Sequence, residues 1–337
     1  MTTLDRCPST LASGYDGYSP VALKRLFDKQ TVSHILPYGS IESDREDNAR
    51  FVENQKRISL SGVQEKYSMV VRDGRLQLKR DDEQGTHILK PKLTQFSNRD
   101  FSAANEHLTM QIAAQVFGIE TAANALCFFG NGEAAYITRR FDIAPDGSKL
   151  RKEDFASLAG LTSENGGKEY KYDKLSYEDI AALIRQYVPA WRVEMLKYFR
   201  LTVFNFLFCN GDAHLKNFSL LETSDGDFRL SPAYDLINTR LHGDDLIFAL
   251  DKGLFREKGM GVGPMGLVTG NSFLEWGKRI GLPENTVRRE LEHFCISYPE
   301  LERLVAASFL SDNLKAEYIR MYCGRRDSFL KAGWERP

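Results

Sequence analysis

Cysteine is scarce in this chain and never clustered. Its five thiols, Cys7, Cys127, Cys209, Cys295 and Cys323, stand far apart, which excludes the close spacings of zinc sites and redox pairs. An odd, scattered set reads as reduced core thiols, and so as a cytoplasmic protein. Long hydrophobic runs are lacking as well. Stretches such as 125–129 and 246–250 fall far short of the ~18 apolar residues of a membrane helix. The N-terminus carries Thr2, Thr3 and Asp5 but no apolar segment, so neither a secretory signal nor a membrane role is expected. The six histidines form no His-Glu-x-x-His cluster, and there is no nucleophile elbow, P-loop, internal repeat or low-complexity tract. Charge bias is absent: 45 Lys and Arg balance 46 Asp and Glu, for a net charge of −1. That balance argues against autonomous nucleic-acid binding.

What is present is 337 residues of ordinary globular composition, enough for one large domain or two lobes. Ser19 before Pro20 predicts a short helix over 20–27, and the charge-rich stretch 40–54 reads as an exposed loop. From Tyr67 the pattern turns to strands. Residues 67–72, Asp73-Gly74 and 75–79 form a hairpin signal, because Asp-Gly suits a turn with positive φ. A short strand over 86–90 is stopped by Pro91. Apolar residues near a 3.6 period predict a helix over 101–117, closed by Gly118. A second hairpin spans 126–140 around Gly130-Asn131-Gly132. Beyond Arg140 the chain reads as helical. Ser176-x-x-Asp179 starts a helix through Tyr187. A long apolar helix follows over 191–209, with Val193, Leu196, Leu201, Phe204 and Leu207 as its buried candidates. Four more helices are expected over 272–279, 285–294, 299–309 and 312–330. The expected class is α+β: a small β-rich N-lobe and a mainly helical C-lobe, joined near 140–148.

The chemistry concentrates after the long helix, in Asn210-Gly211-Asp212-Ala213-His214-Leu215-Lys216-Asn217. Asp with Asn five positions on is the spacing of a kinase catalytic loop. The Asp reaches the acceptor hydroxyl, while the Asn turns back to hold a metal on the phosphates. A hairpin over 218–230 follows, and Asp235 stands just beyond it, where a kinase places its second metal-binding Asp. Asp-x-x-x-x-Asn by itself is common in chains of this length; the ordered set is not. Lys90 ends the strand before Pro91, as a phosphate-pairing lysine would, although most strand-end lysines are merely solvated. Glu106, on the next helix, is a candidate partner for Lys90 or an ordinary surface carboxylate. Lys216 reads either as a phosphate contact or as a solvated lysine, and His214 as a structural hydrogen-bonder. Residues 59–66 lie where a phosphate-covering loop belongs, but hold a single glycine.

Taken in order, Ser59-Leu60-Ser61-Gly62-Val63-Gln64-Glu65-Lys66, His87 to Pro91, Asn105-Glu106, Arg139-Arg140-Phe141-Asp142, Lys152-Glu153-Asp154-Phe155, Asn210 to Asn217 and Pro232-Ala233-Tyr234-Asp235 resemble the HipA-type serine/threonine kinases. These are toxins of bacterial toxin–antitoxin systems. The resemblance runs from Ser59 to the C-terminus. It implies a two-lobed kinase-like fold, ATP and Mg²⁺ as cofactors, Asp212 as catalytic base and Asn217 and Asp235 as metal ligands. It further implies an ATP site with Ser61, Gly62, Val63, Gln64, Lys66 and Lys90, joined by Arg140, Phe141 and Asp142 at the hinge, and by His214 and Lys216. Ser59 matches the family's autophosphorylated serine, and the Ser59/Ser61 pair resembles the two-serine loop of the short HipT branch. The division implied is 1–58 as an extension, 59–145 as the ATP-binding N-lobe and 146–337 as the C-lobe. HipA carries a longer region before its ATP loop; this chain has residues 1–58 there, as HipT does, whose missing part is a separate small HipS protein. The expected partners are a HipB-like DNA-binding antitoxin, a HipS-like protein and an aminoacyl-tRNA synthetase substrate.

Two rivals remain open. A small-molecule or lipid phosphotransferase would use the same core. Residues 273–289 also read as a helix-turn-helix, with Gly281 at the turn, or else as two packed helices of the C-lobe.

Overall fold

The computed structural model describes residues 4–41, 51–52, 65–243, 245–257 and 267–331. The loop residues Ser59, Ser61, Gly62, Val63 and Gln64 lie outside them.

Helix α1 (Pro20–Phe27) starts as the sequence predicts: the Ser19 side chain accepts from the Ala22 amide, with Pro20 in the first turn. Strands β1 (Tyr67–Arg72) and β2 (Arg75–Leu78) pair antiparallel, Met69 against Leu78 and Val71 against Leu76. Their turn has φ of 54° at Asp73 and 68° at Gly74, both positive as a two-residue hairpin turn requires. Strands β3 (His87–Lys90), β4 (Asn124–Phe128) and β5 (Ala134–Arg139) complete a five-stranded antiparallel sheet in the order β2-β1-β3-β5-β4. Between β3 and β4 runs helix α2 (Ser102–Gln115), entered through a 3₁₀ turn at Arg99–Phe101. Gly118 follows with φ of 61°, the left-handed residue that stops the helix.

Strand β4 is buried along its whole length because the sheet is covered on both faces. Ala125 and Cys127, with Ala135 and Ile137 of β5, face a core made by the N-terminal segment: Tyr18, Ala22, Leu26, Phe27, Val32, Leu36 and Tyr38. Leu126, Phe128 and Tyr136 point the other way, into the larger core shared by α2 and the helical lobe. The N-terminal segment also uses the free edge of β4. Ile35 bridges Phe128 in parallel, and the Tyr18 hydroxyl donates to the Leu126 carbonyl at 2.9 Å. Residues 4–41 are thus structural, which the sequence reading did not foresee. Within the stretch expected to be an exposed loop, the described Phe51 is instead fully buried, with its ring centroid 4.7 Å from that of Tyr67.

The second lobe opens with a small three-stranded sheet, β6-β7-β8, from Lys152–Asp154, Ser219–Glu222 and Phe228–Leu230. Besides one-turn helices at Phe155–Leu158, Ser163–Gly166 and Tyr170–Asp173, its helices are α3 (Tyr177–Tyr187), α4 (Trp191–Leu207), α5 (Gly270–Arg279), α6 (Glu284–Cys295), α7 (Pro299–Ala307) and α8 (Asp312–Lys331). The Ser176/Asp179 capping box is present. On α4, Val193 is 61% exposed, contrary to expectation. The inward face instead carries Met195, Tyr198 and Phe199. Glu194 turns in with them, because it accepts from the Leu230 amide at 3.0 Å. Helices α5 and α6 are a packed pair of this lobe. Phe273, Trp276, Val287 and Leu291 are fully buried, and a Cβ at Gly277 would meet Val287 at 2.6 Å. All five cysteines are free. No helix among the described residues is long and apolar enough to cross a membrane.

Because α1 closes one face of the sheet, Leu26→Ala should lower unfolding free energy by about 2–5 kcal/mol. Val21→Ala on its exposed side should stay within about 0.5 kcal/mol. Urea denaturation of the two variants checks this, and equal effects would refute the role given to the segment.

Candidate functional site

The site begins at a buried lysine. Lys90 closes β3, and its Nζ donates to Glu106 Oε1 of α2 at 2.6 Å, with both side chains almost fully buried. The same ammonium donates to Asp235 Oδ1, and Lys66, at the entrance to β1, reaches Asp235 Oδ2 at 3.4 Å. Lys90 also lies 5.3 Å from the centroid of the Tyr136 ring, a favourable cation–π distance. Four charged groups from four separate segments thus form one chain: Glu106, Lys90, Asp235, Lys66.

Their protonation follows from their neighbours. Burial alone would push the Asp235 carboxyl up, but Lys66 and Lys90 outweigh it and hold the group well below the usual carboxylate range. Burial also works against the Lys90 charge, and Asp235 and Glu106 overcome it, holding Lys90 above the ordinary lysine value. For Glu106 burial wins and raises its pKa, against the pull of Lys90. Asp235 has a φ of 57°, a left-handed conformation that costs energy for a residue with a Cβ and that concentrates at functional sites.

A clasp fixes α2 against the segment after Asp235. Asn105, beside Glu106, donates to the Asn238 carbonyl at 2.8 Å and accepts from the Asn238 amide at 3.2 Å. Its Nδ2 lies 2.9 Å from His242 Nε2. All three side chains are buried.

Asp212 follows α4 through a tight turn. Cys209 takes φ of 54°, the Gly211 amide donates to Thr239 Oγ1 at 2.9 Å, and the Asp212 amide to Asn210 Oδ1 at 3.2 Å. A 3₁₀ turn at Leu215–Asn217 leads into β7. The β7–β8 hairpin then returns the chain, so that the Tyr234 hydroxyl donates to the Lys216 carbonyl at 2.8 Å and lies 2.5 Å from Ser219 Oγ. This hairpin sets the Asn217 segment beside Asp235. The Asp212 side chain is 51% exposed. Burial raises its pKa, Tyr172 and Lys171 oppose the rise, and Asp235 and Asp245 add to it. Water at the exposed half limits that rise.

His214 Nε2 lies 3.9 Å from Asp212 Oδ1. Burial and Lys171 lower the ring's pKa to about 4, so it is neutral at pH 7. Lys216 directs its ammonium to Asp154 at 3.7 Å. At the junction of the lobes Arg140 clamps Asp142 through two bonds of 3.0 and 2.6 Å. Phe141 lies 5.6 Å from the Tyr234 ring, and the Lys152 ammonium stands over both rings at 5.7 and 5.3 Å. The structure therefore gathers Lys66, Lys90, Glu106 and Asp235 by direct contact, and Asp212 with His214. Arg140, Phe141 and Asp142 form a separate wall linked through Tyr234. Tyr172 was not among the expected residues at all, and Lys152 was noted only within the Lys152–Phe155 motif, with no role assigned. The Tyr172–Asp212 contact spans 40 residues, and no local spacing announces it.

Among the described residues no group of three or more His, Cys, Asp or Glu could hold a metal ion. Mg²⁺ is bound in kinase-type sites through one or two oxygen ligands together with substrate phosphates. The ionised Asp235 and the amide oxygen of Asn217 are such hard donors, and the adjacent ammonium groups suit a polyphosphate.

The family profile of the HipA-like C-terminal domain matches residues 58–300, and the chain belongs to that family. A putative kinase of Haemophilus influenzae is 28% identical over 313 residues, covering 87% of each chain. The serine/threonine-protein kinase toxin HipA of Shewanella oneidensis is 27% identical over 219 residues, covering 59% of this chain and 48% of the toxin. This chain thus spans about half the length of that longer relative. Among solved structures, the Shewanella oneidensis MR-1 toxin–antitoxin complex of HipA, HipB and operator DNA matches with a TM-score of 0.64 at 18% identity, over 87% of this chain and 74% of the other. The fold is the two-lobed, HipA-like kinase fold, with a small β-rich N-lobe and a mainly helical C-lobe.

Glu106→Ala leaves the buried Lys90 short of one counter-charge and should destabilise the protein by on the order of 3 kcal/mol. Glu300→Ala, which breaks an exposed pair with Arg303, should cost less than about 1 kcal/mol. The depressed pKa of Asp235 adds a pH dependence. Its stabilisation is complete above its ordinary value of 3.8 and is lost as pH falls through the lower folded value. Lys66→Met removes one ammonium, so acid unfolding followed by circular dichroism should begin at higher pH; an unchanged or lower midpoint would contradict the assignment.

Proposed function

We propose that this protein is an ATP-dependent serine/threonine protein kinase, acting as the toxin of a bacterial toxin–antitoxin system. One observation carries the reading: Asp212 and Asn217 lie on a single loop that a hairpin returns to Asp235, and Asp235 meets the buried Lys90–Glu106 pair. Family membership and the kinase names of its relatives support it.

In this reading residues 59–145 form the ATP-binding lobe, 146–337 carry the catalytic and metal-binding loops, and 1–58 are an extension whose described residues 4–41 support the sheet. Lys90 and Lys66 bind the phosphates. Asn217 and Asp235 would hold Mg²⁺, which supplies charge neutralisation at the transferring phosphoryl group. Arg140, Phe141 and Asp142 line the adenosine end. Asp212 orients an acceptor serine or threonine hydroxyl and takes up its proton, so the fixed geometry supplies much of the acceleration. His214, neutral and packed beside Asp212, shapes the loop rather than serving as a base, and Lys216 is held by Asp154 at the rim.

Ser59 and Ser61 are the proposed autophosphorylation sites, as in the HipT branch. A phosphate there adds about −1.5 to −2 charge beside the nucleotide phosphates and disfavours the closed loop. The partners proposed are a HipB-like antitoxin, supported by the HipB in the solved complex of the matching fold, and a HipS-like protein. The proposed target is an aminoacyl-tRNA synthetase in the cytoplasm, whose phosphorylation would halt translation and growth.

Incubation with labelled Mg²⁺-ATP and a bacterial lysate, followed by phosphosite mapping, tests the proposal. Phosphoserine at Ser59 or Ser61 and on a lysate protein is expected. Asp212→Asn and Asp235→Asn should each lower transfer by about 100-fold or more. Full transfer in both variants, or label only on small molecules, would refute it.

A further inference from the structure

Tyr172 is absent from every reading of the motifs, yet it makes the shortest side-chain contact to Asp212. It lies on the one-turn helix Tyr170–Asp173, 40 residues before its partner. Its hydroxyl donates to Asp212 Oδ1 at 2.8 Å, and its ring meets the His214 ring edge to face at 5.0 Å. The backbone around it is tied on both sides: the Tyr172 amide donates to the Glu169 carbonyl at 2.8 Å, and the Asp251 amide donates to the Tyr172 carbonyl at 3.0 Å. The phenol is thus held by two segments outside the Asp212 loop.

We infer that Tyr172 is a positioning residue for Asp212: it occupies Oδ1 and leaves Oδ2 to face the acceptor hydroxyl. The inference rests on the proposed role of Asp212. Oδ1 is taken by the phenol and backed by His214; among the described residues Oδ2 has no hydrogen-bond partner. A carboxylate on a tight loop would otherwise rotate about its last torsion, which is broad and two-fold. One strong donor on one oxygen removes that freedom and leaves the other oxygen free to accept from the acceptor hydroxyl. Such alignment is what a general base needs before its pKa matters.

The donor also has the right protonation. Burial and the Asp212 carboxylate hold the phenol well above its usual pKa, so Tyr172 gives a proton to the bond and never competes as a base. Its bond stabilises the ionised form of Asp212, as does Lys171 beside it. Asp235 and Asp245 act in the opposite direction from the facing segments. The His214 ring stays neutral and does not offset either pair.

The test uses the full-length protein and ADP formation from Mg²⁺-ATP, with Tyr172→Phe, Tyr172→Leu and Asp212→Asn measured in parallel. Phenylalanine keeps the ring against His214 and removes only the hydroxyl. Tyr172→Phe should lower kcat about tenfold with KM for ATP unchanged. The acid limb of its pH–rate profile should move to higher pH, because Asp212 has lost a bond that favours its ionised form. Tyr172→Leu should show the same pH displacement with a larger fall in kcat. If Asp212→Asn keeps wild-type activity, the role of Asp212 itself fails. If Asp212→Asn is inactive while Tyr172→Phe keeps the wild-type kcat and pH profile, the positioning role alone is overturned. A rise in KM for ATP with an unmoved acid limb would likewise overturn it, since that marks a merely structural contact.

Discussion

The buried Lys90 ammonium, shared by two carboxylates, is the constraint around which the cleft is arranged. An unpaired ammonium at that depth would be prohibitively costly, so its partners must be in place whenever the chain is folded. Glu106 comes from α2 and Asp235 from the far end of the β7–β8 hairpin. The bond chain therefore fixes α2, β3 and the second lobe relative to one another. The Asn105 clasp on Asn238 and His242 repeats the same docking one residue away, with neutral groups. Because Asp235 is held ionised, the site presents an anionic oxygen ligand beside two cations, an arrangement that suits a metal–polyphosphate complex better than either component alone.

This arrangement needs a rigid β3, and the rigidity comes from an unexpected place. A sheet covered only by α2 would leave Ala125, Cys127 and Ile137 open to water. The N-terminal segment closes that face and adds a short parallel bridge to the β4 edge. His87 on β3 is tied in as well, its Nε2 lying 2.9 Å from the Leu26 carbonyl. Residues well before the kinase-like motifs thus bear on the position of Lys90.

Much of this was legible in the sequence, for reasons that differ by element. The Asp73-Gly74 turn, the Ser19 and Ser176 caps and Gly118 are local devices, and each acts where its residue type predicts. The hairpin between Asn217 and Asp235 was legible from two strand runs around a turn, and the structure forms it as β7 and β8. What could not be read was long-range. Val193 looked like a core residue, but a bond from the Leu230 amide turns Glu194 inward in its place. Tyr172 reaches Asp212 across 40 residues, and the placement of Lys152 over Phe141 and Tyr234 could not be read from its motif, which gave no role for the side chain. The packing of residues 4–41 likewise leaves no periodic trace, because most of that segment is neither helix nor strand.

The most direct measurement of the central claim is the Mg²⁺ dependence of ATP binding, by titration calorimetry, in the wild type and in Asp235→Asn. If Asp235 joins the buried lysine to a metal-bound polyphosphate, Mg²⁺ should tighten ATP binding to the wild type, and most of that gain should vanish in Asp235→Asn. An equal gain from Mg²⁺ in both proteins would contradict the account.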